Sequence, residues 1–401
     1  MTSAKQRAVG LDGLRGLAAL GVFACHIWMY RPGGRPARDG LLDFAAFELR
    51  VSLVLFFVLS GYLLYRQFAR AAIRRESVDL GDYLRRRAAR ILPAYYVAML
   101  GAVALLWGAT STPGVRLPDP SELPLFAVFA QNYSAGAIMR LNPVTWTLGI
   151  EVAFYALLPL IGLVAHKLCR RRPARQAWLL AGLIVIGIGW NAATYAFGWG
   201  IIAGKALPGY LSYFALGMLL ALWIEQRAAA GLEQRPRLGT RATFALVAGG
   251  VAAVALNGLW HAGSDAPGDD PLMQSLTDLP AAIGFAALIA AVLVGCGRSI
   301  AWTRMRALAA VGVFSYGFYL WHLPLILFTG RLGLMPESFS AALALTLPPA
   351  LALGAASWFL IERPMIARAA RPRSPAVEPP ARLDSALVRS RLPAPFERSA
   401  A

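Results

Sequence analysis

The feature that most constrains this chain is a recurring apolar run, long enough to cross a bilayer and separated from the next by a short polar connection. A spanning helix needs about 20 mostly apolar residues. Ten runs meet that length, at 12–30, 47–66, 91–109, 147–165, 177–196, 207–224, 242–260, 279–296, 308–328 and 340–361. The connections between them alternate in charge. The segment 66–90 carries eight Arg, 166–175 five Lys or Arg, 225–241 four and 297–307 three. Between these, 197–206 has only Lys205, and 261–278 has four Asp with no Lys or Arg. Ten helices with both termini in the cytoplasm produce this alternation, because basic residues collect on the cytoplasmic side. The first connection fits less cleanly, since Arg31, Arg35 and Arg38 are offset by Asp39 and Asp43.

Composition agrees. Charged residues make up 15% of the 401, against roughly a quarter in soluble domains, and mean hydropathy is +0.55. The net charge of +18 could suggest nucleic acid, but the Arg residues sit in clusters between apolar runs, where topology places them. Cys25, Cys169 and Cys296 lack disulfide or metal-ligand spacing, and four scattered His argue against a metal site. No cleavable signal peptide is evident, since Asp12 and Arg15 interrupt the first run. The predicted fold class is an all-α membrane protein, a single polytopic bundle of about ten transmembrane helices. It spans residues 1–366 and is followed by a disordered cytoplasmic tail at 367–401, rich in Pro and Arg. The apolar stretch "SELPLFAVFAQNYSAG" in the long connection 110–146 is too short to span, and is expected to lie in the interface or re-enter. No internal repeat marks an inverted-repeat transporter.

Ionisable groups inside the runs are costly in lipid and point to partners or cavities. Arg15 and His26 are eleven residues apart. On a helix that is about 1100° of turn, so they share a face to within roughly 20°, about 16 Å apart along the axis. Arg15 falls toward the cytoplasm and His26 toward the outer half. For each, a structural reading stands beside the functional one: a snorkelling Arg and a packed neutral His. Glu151 lies among Ile150, Val152 and Phe154, with Tyr155 one turn on and Trp146 expected in the outer aromatic belt. A structural ion pair is the alternative for Glu151. Ser315, Tyr319 and His322 fall at spacings of four and three on one face, with simple hydrogen-bonded packing as the alternative for His322. Ser60-Gly61 would allow close helix approach. The run "RRRAAR" at 85–90 is either topological signal or an anion-binding surface, and Pro93 is expected early in its helix.

Together these residues resemble the integral-membrane acyltransferase family three. Its hallmark is an Arg, ten residues, then a His in the first helix, as at Arg15 and His26. "FFVLSGYLL" at 56–64, "RRAARILPAYY" at 86–96, "WTLGIEVAFY" at 146–155, "SYGFYLWHLPL" at 315–325 and "IERP" at 361–364 match further family signatures, with Thr147 where the family usually has Ser. The resemblance covers roughly residues 8–366. It implies an acyl-CoA co-substrate, most often acetyl-CoA, with no bound cofactor. It also implies a hydroxyl acceptor on a sugar-containing molecule, such as a cell-surface glycan or a macrolide sugar, and makes Arg15 and His26 essential.

For that chemistry, His26 is the expected general base, contributing roughly 10²–10⁴-fold. Glu151 is expected to orient or charge-stabilise His26, or to bind the acceptor. His322 or Tyr155 is expected to donate to the oxyanion. Arg15, Arg87 and Arg90 are expected to hold the donor, and Ser60, Trp146 and Tyr319 to support the site. A nucleophilic His26 is the competing route. The rival function is a proton-coupled transporter or exporter. A third reading, a scaffold whose basic loops bind anionic lipid, leaves His26, Glu151 and His322 unexplained. If Arg15 grips its ligand with two guanidinium nitrogens, Arg15→Lys will be a poor substitute in an acyl-transfer assay.

Overall fold

The structure is a computed structural model that describes residues 3–32, 41–169, 172–231, 238–262 and 271–371. Among these residues there are helices and short connections and no strand. In chain order the helices are α1 (Ser3–Tyr30), α2 (Leu41–Glu48), α3 (Ser52–Arg74), α4 (Leu80–Leu106), α5 (Leu123–Ala127), α6 (Trp146–Cys169), α7 (Pro173–Ala196) and α8 (Gly200–Gly204). They continue with α9 (Leu211–Ala229), α10 (Thr240–Ala262), α11 (Pro271–Leu276), α12 (Leu279–Val294), α13 (Arg306–Val313), α14 (Ser315–Arg331), α15 (Phe339–Ser357) and α16 (Arg363–Ala369). Among the described residues, eight continuous helical segments are long and apolar enough to cross a membrane. Two bent pairs bring the total to ten: α12 with the 3₁₀ turns 298–304, bent by 94°, and α13 with α14, bent by 78°. The chain is an all-α polytopic membrane protein.

Three boundaries differ from the sequence expectation. The run 308–328 is not one straight helix but breaks at Phe314. The break lets α13 follow α1 while α14 turns to pack on α4 and α15. Helix α4 begins at Leu80 rather than near 91, because the Asp79 side chain caps it by accepting from the Asp82 amide at 2.9 Å. The basic run is therefore helical, and Pro93 sits in mid-helix rather than in the first turn. Helix α16 continues to Ala369, past the expected boundary at 366, and the expected disordered tail from 372 onward lies outside the described residues.

The connection 110–146 folds back onto the bundle as short helical turns. Tyr95 Oη donates to the Phe126 carbonyl at 2.8 Å and Tyr96 Oη to that of Ala127 at 2.7 Å. Tyr95 stacks on Phe129 at 4.2 Å, and Asn142 Nδ2 donates to the Leu320 carbonyl at 3.0 Å. These bonds tie part of this irregular backbone to the bundle.

The main crossings pair α3 with α9, α10 with α12 and α1 with α13. At the first, a Cβ added to Gly61 would meet the Phe214 carbonyl oxygen at 2.1 Å, and one added to Gly217 the Val58 oxygen at 2.0 Å. The expected close approach at Ser60-Gly61 is there, reciprocated from α9. Gly217→Val is expected to cost about 1–3 kcal/mol through overpacking and to lower the melting temperature of the detergent-solubilised protein. Gly182→Ala, with nothing within 4 Å of the added carbon, should leave it unchanged or raise it.

Candidate active site

Helices α1, α3, α4, α6 and α14 line a partly open cavity of about 170 Å³. Residues from distant sequence positions line it: Arg15 from α1, Ser60 from α3, Arg87 and Arg90 from α4, Glu151 and Tyr155 from α6, and Tyr319 from α14. Helical spacing sorts the arginines of α4 between its two faces. Arg85 and Arg86 both pair with Asp82, the second at 2.6 Å, on the outer face of the helix. Arg87 and Arg90 turn inward to the cavity. Arg87 Nε is buried without a hydrogen-bond partner among the described residues, which leaves it free to bind a ligand. Arg90 sits 3.6 Å from Glu362 and lies over the Tyr316 and Trp358 rings at 5.9 and 5.4 Å. Arg15 has Asp12 at 3.8 Å. Three guanidinium groups therefore face one space, and all three are among the residues expected to hold the donor.

Glu151 differs from its expected partnership. Ser60 Oγ donates to its Oε1 at 2.6 Å, and Tyr155, Arg15 and Arg87 are its other neighbours. Among the described residues it makes no hydrogen bond to His26, because α6 aims it at the arginine end of the cavity.

The partner of His26 is His322. Their Nδ1 and Nε2 atoms are 2.8 Å apart, with the rings stacked at 5.0 Å. His322 Nδ1 lies 2.7 Å from the Tyr319 carbonyl oxygen. A carbonyl only accepts, so this nitrogen carries a proton. In the neutral pair, His322 Nε2 is then the acceptor and His26 Nδ1 the donor. The chain of bonds leaves His26 Nε2 as a bare lone pair. His322 was expected from sequence as an oxyanion donor, but both its nitrogens are engaged, so the geometry fits it to orienting His26. Neither histidine lines the arginine cavity directly. Tyr319 joins the two regions: it lines the cavity, its ring lies 5.5 Å from His322, and its hydroxyl meets Thr147 Oγ1 at 2.9 Å. Thr147 thus keeps the hydroxyl function of the Ser it replaces in the family pattern.

Trp146 does not stand in a lipid-facing belt. It packs inside the protein with Lys205 4.0 Å over its ring and Tyr210 at 5.5 Å. Sequence reasoning assigned no role to Glu362 or Tyr316. The "IERP" signature holds the first, but nothing in the linear chain tells that it would meet Arg90. Around Glu362 the helix widens into a π-helical turn at Trp358–Glu362, a distortion common at functional sites.

Comparison with known proteins identifies the family. The acyltransferase-domain family profile matches residues 9–362, and the chain belongs to this family of membrane acyltransferases. It is 27% identical over 407 residues to the acyltransferase MdmB of Streptomyces mycarofaciens, covering 95% of this chain and 97% of that protein. It is 29% identical over 329 residues to the exopolysaccharide production protein ExoZ of Rhizobium meliloti, covering 78% and 88%. It is 28% identical over 193 residues to the O-acetyltransferase OatA of Staphylococcus aureus, covering 45% and 28%. No solved structure matches the chain. If His322 sets the tautomer of His26, His322→Ala will lower the turnover of acyl transfer by about 10²–10⁴-fold, with donor affinity unchanged in a binding titration.

Proposed function

We propose that this membrane acyltransferase moves a short acyl group, acetyl first among them, from acyl-CoA to a hydroxyl of a sugar-containing acceptor. The observation that carries this reading is the bare Nε2 of His26, held by His322, which Tyr319 links to a cavity lined by three arginines. Acyl-CoA is anionic at its nucleotide end and reactive at its thioester end. Arg15, Arg87 and Arg90 suit the first. Guanidinium groups bind phosphate through paired, charge-assisted hydrogen bonds. With the basic connections in the cytoplasm, this end faces the cytoplasmic pool of acyl-CoA, both termini are cytoplasmic, and His26 lies further out.

In the reaction, His26 Nε2 takes the proton of the acceptor hydroxyl as its oxygen attacks the thioester carbonyl. The resulting imidazolium keeps its Nδ1–H bond to His322. Collapse of the tetrahedral intermediate breaks the C–S bond, and the departing thiolate takes the proton back from His26. Glu151, bound by Ser60 and Tyr155, balances the charge of Arg15 and Arg87 and fixes their direction. The same lone pair would serve a nucleophilic His26, a route that predicts radiolabel retained on the protein after acid quenching.

The test supplies membranes with radiolabelled acetyl-, propionyl- and isovaleryl-CoA and follows label into product. His26→Ala and His26→Gln should each abolish transfer in protein that still inserts; near-normal transfer by purified His26→Ala overturns the reading. Substrate movement in sealed vesicles without any acyl donor would favour the transporter instead.

A further inference from the structure

A second cavity lies behind the wall of the first. It is a partly open space of about 250 Å³ and shares Leu53 and Phe57 with the arginine cavity. Its lining comes from segments that the charge pattern places outside the cytoplasm: Arg50 at the end of the first connection, Trp146 at the start of α6, Lys205 after α8, and Asp278 before α12. Their positions are built rather than incidental. Asn132 Nδ2 donates to the carbonyls of both Trp146, at 2.7 Å, and Lys205, at 3.1 Å. Asn191 Nδ2 ties Gly209 to Thr277, at 3.1 and 3.0 Å.

The carboxylates at this cavity are drawn to Arg50 rather than to Lys205. Asp278 is taken by Arg50 at 2.8 Å and by Asn257 Nδ2 at 3.1 Å. Arg50 also reaches Glu48 at 3.5 Å. Lys205 has Tyr210 Oη at 3.5 Å and the Trp146 ring at 4.0 Å, but no carboxylate within ion-pair distance among the described residues. Withdrawal from water pushes its ammonium down to about 8, with Arg50 adding to the effect and Asp278 opposing it. A bound anion would reverse that loss. Around this cation stand the rings of Trp146, Tyr210 and Tyr213, with hydrogen-bonding groups between them. Apolar ring faces with a few placed polar groups make a site for a ring-shaped polar ligand.

We propose that this second cavity binds the acceptor, and that the acceptor is a saccharide carrying a carboxylate that pairs with Lys205. Its role as acceptor site rests on the acyl-transfer reading above. Leu53 and Phe57 line both cavities, so donor and sugar approach each other across these residues; His26 lines neither cavity, and the sugar hydroxyl extends past them to reach its Nε2.

The experiment uses the full-length protein in lipid nanodiscs and titrates three probes: a glucuronate-containing disaccharide, the matching neutral glucose disaccharide, and coenzyme A. The acidic sugar should bind the wild type about tenfold tighter than the neutral one, as a charge-assisted contact implies. Lys205→Gln should erase that preference and Lys205→Arg retain most of it, with coenzyme A binding unchanged in both variants as the check on folding. Equal affinity for the two sugars, or an acidic-sugar preference that survives Lys205→Gln, overturns the proposal. Inorganic phosphate competing as well as the acidic sugar would also overturn the carboxylate assignment. Acidic-sugar binding at Lys205 without coenzyme A binding by the wild type would sink the acyl-CoA reading and leave the sugar site standing.

Discussion

Hydrocarbon offers a polar side chain no water, so each one inside this bundle must find its partner within the protein. That constraint organises the centre of the molecule. Arg15, Ser60, Arg87, Arg90, Glu151 and Tyr319 come from five helices, yet all line one cavity. His26 reaches His322 across 296 positions of sequence. Lipid-facing surfaces such as those of α7 and α10 show the complement, with exposed Trp178, Val185, Val251 and Leu256. Apolar side chains thus fill the core and also face outward, and the polar groups gather around the cavities.

Close backbone approach makes this sorting compatible with tight packing. Apolar burial gives little drive to association between helices already in lipid, so contact depends on small residues and complementary shape. Gly61 and Gly217 press α3 and α9 together, and α3 in turn carries Leu53, Phe57 and Ser60 between the two cavities. The break at Phe314 has a related effect. It frees α13 to follow α1 while α14 turns, which carries Tyr319 to the arginine cavity and His322 to His26. A straight helix over 308–328 would commit both halves to one direction.

Two features of the histidine pair matter for chemistry. The Tyr319 carbonyl sets the tautomer of His322, which sets that of His26, so the nitrogen left with a lone pair is chosen by backbone geometry rather than by a carboxylate. Glu151 is meanwhile kept at the arginine end, where Asp12 and Glu362 also stand beside Arg15 and Arg90. In the proposed reaction the two tasks, holding an anion and moving a proton, are separated in space and joined by one tyrosine.

Much of this was legible in the linear chain. The length of the apolar runs and the alternation of basic connections are properties of sequence, and bilayer thickness translates them directly into a count of spans and a topology. The expense of an ionisable residue in lipid marks Arg15, His26, Glu151 and His322 without any knowledge of neighbours, and helical periodicity places Arg15 and His26 on one face. Partnership was a different matter. Which polar group meets which depends on helix rotation, on the early start of α4 that makes its arginines helical, and on the bend at Phe314. None of these has a signature in apolar periodicity. For that reason Glu151 is found with Ser60 rather than His26, Trp146 beneath Lys205 rather than at a lipid interface, and Glu362 beside Arg90. Local patterns and solvent transfer costs act along the chain and determined the elements and their polar residues. The pairing of those residues is a contact between elements far apart in sequence, and only the packed structure decided it.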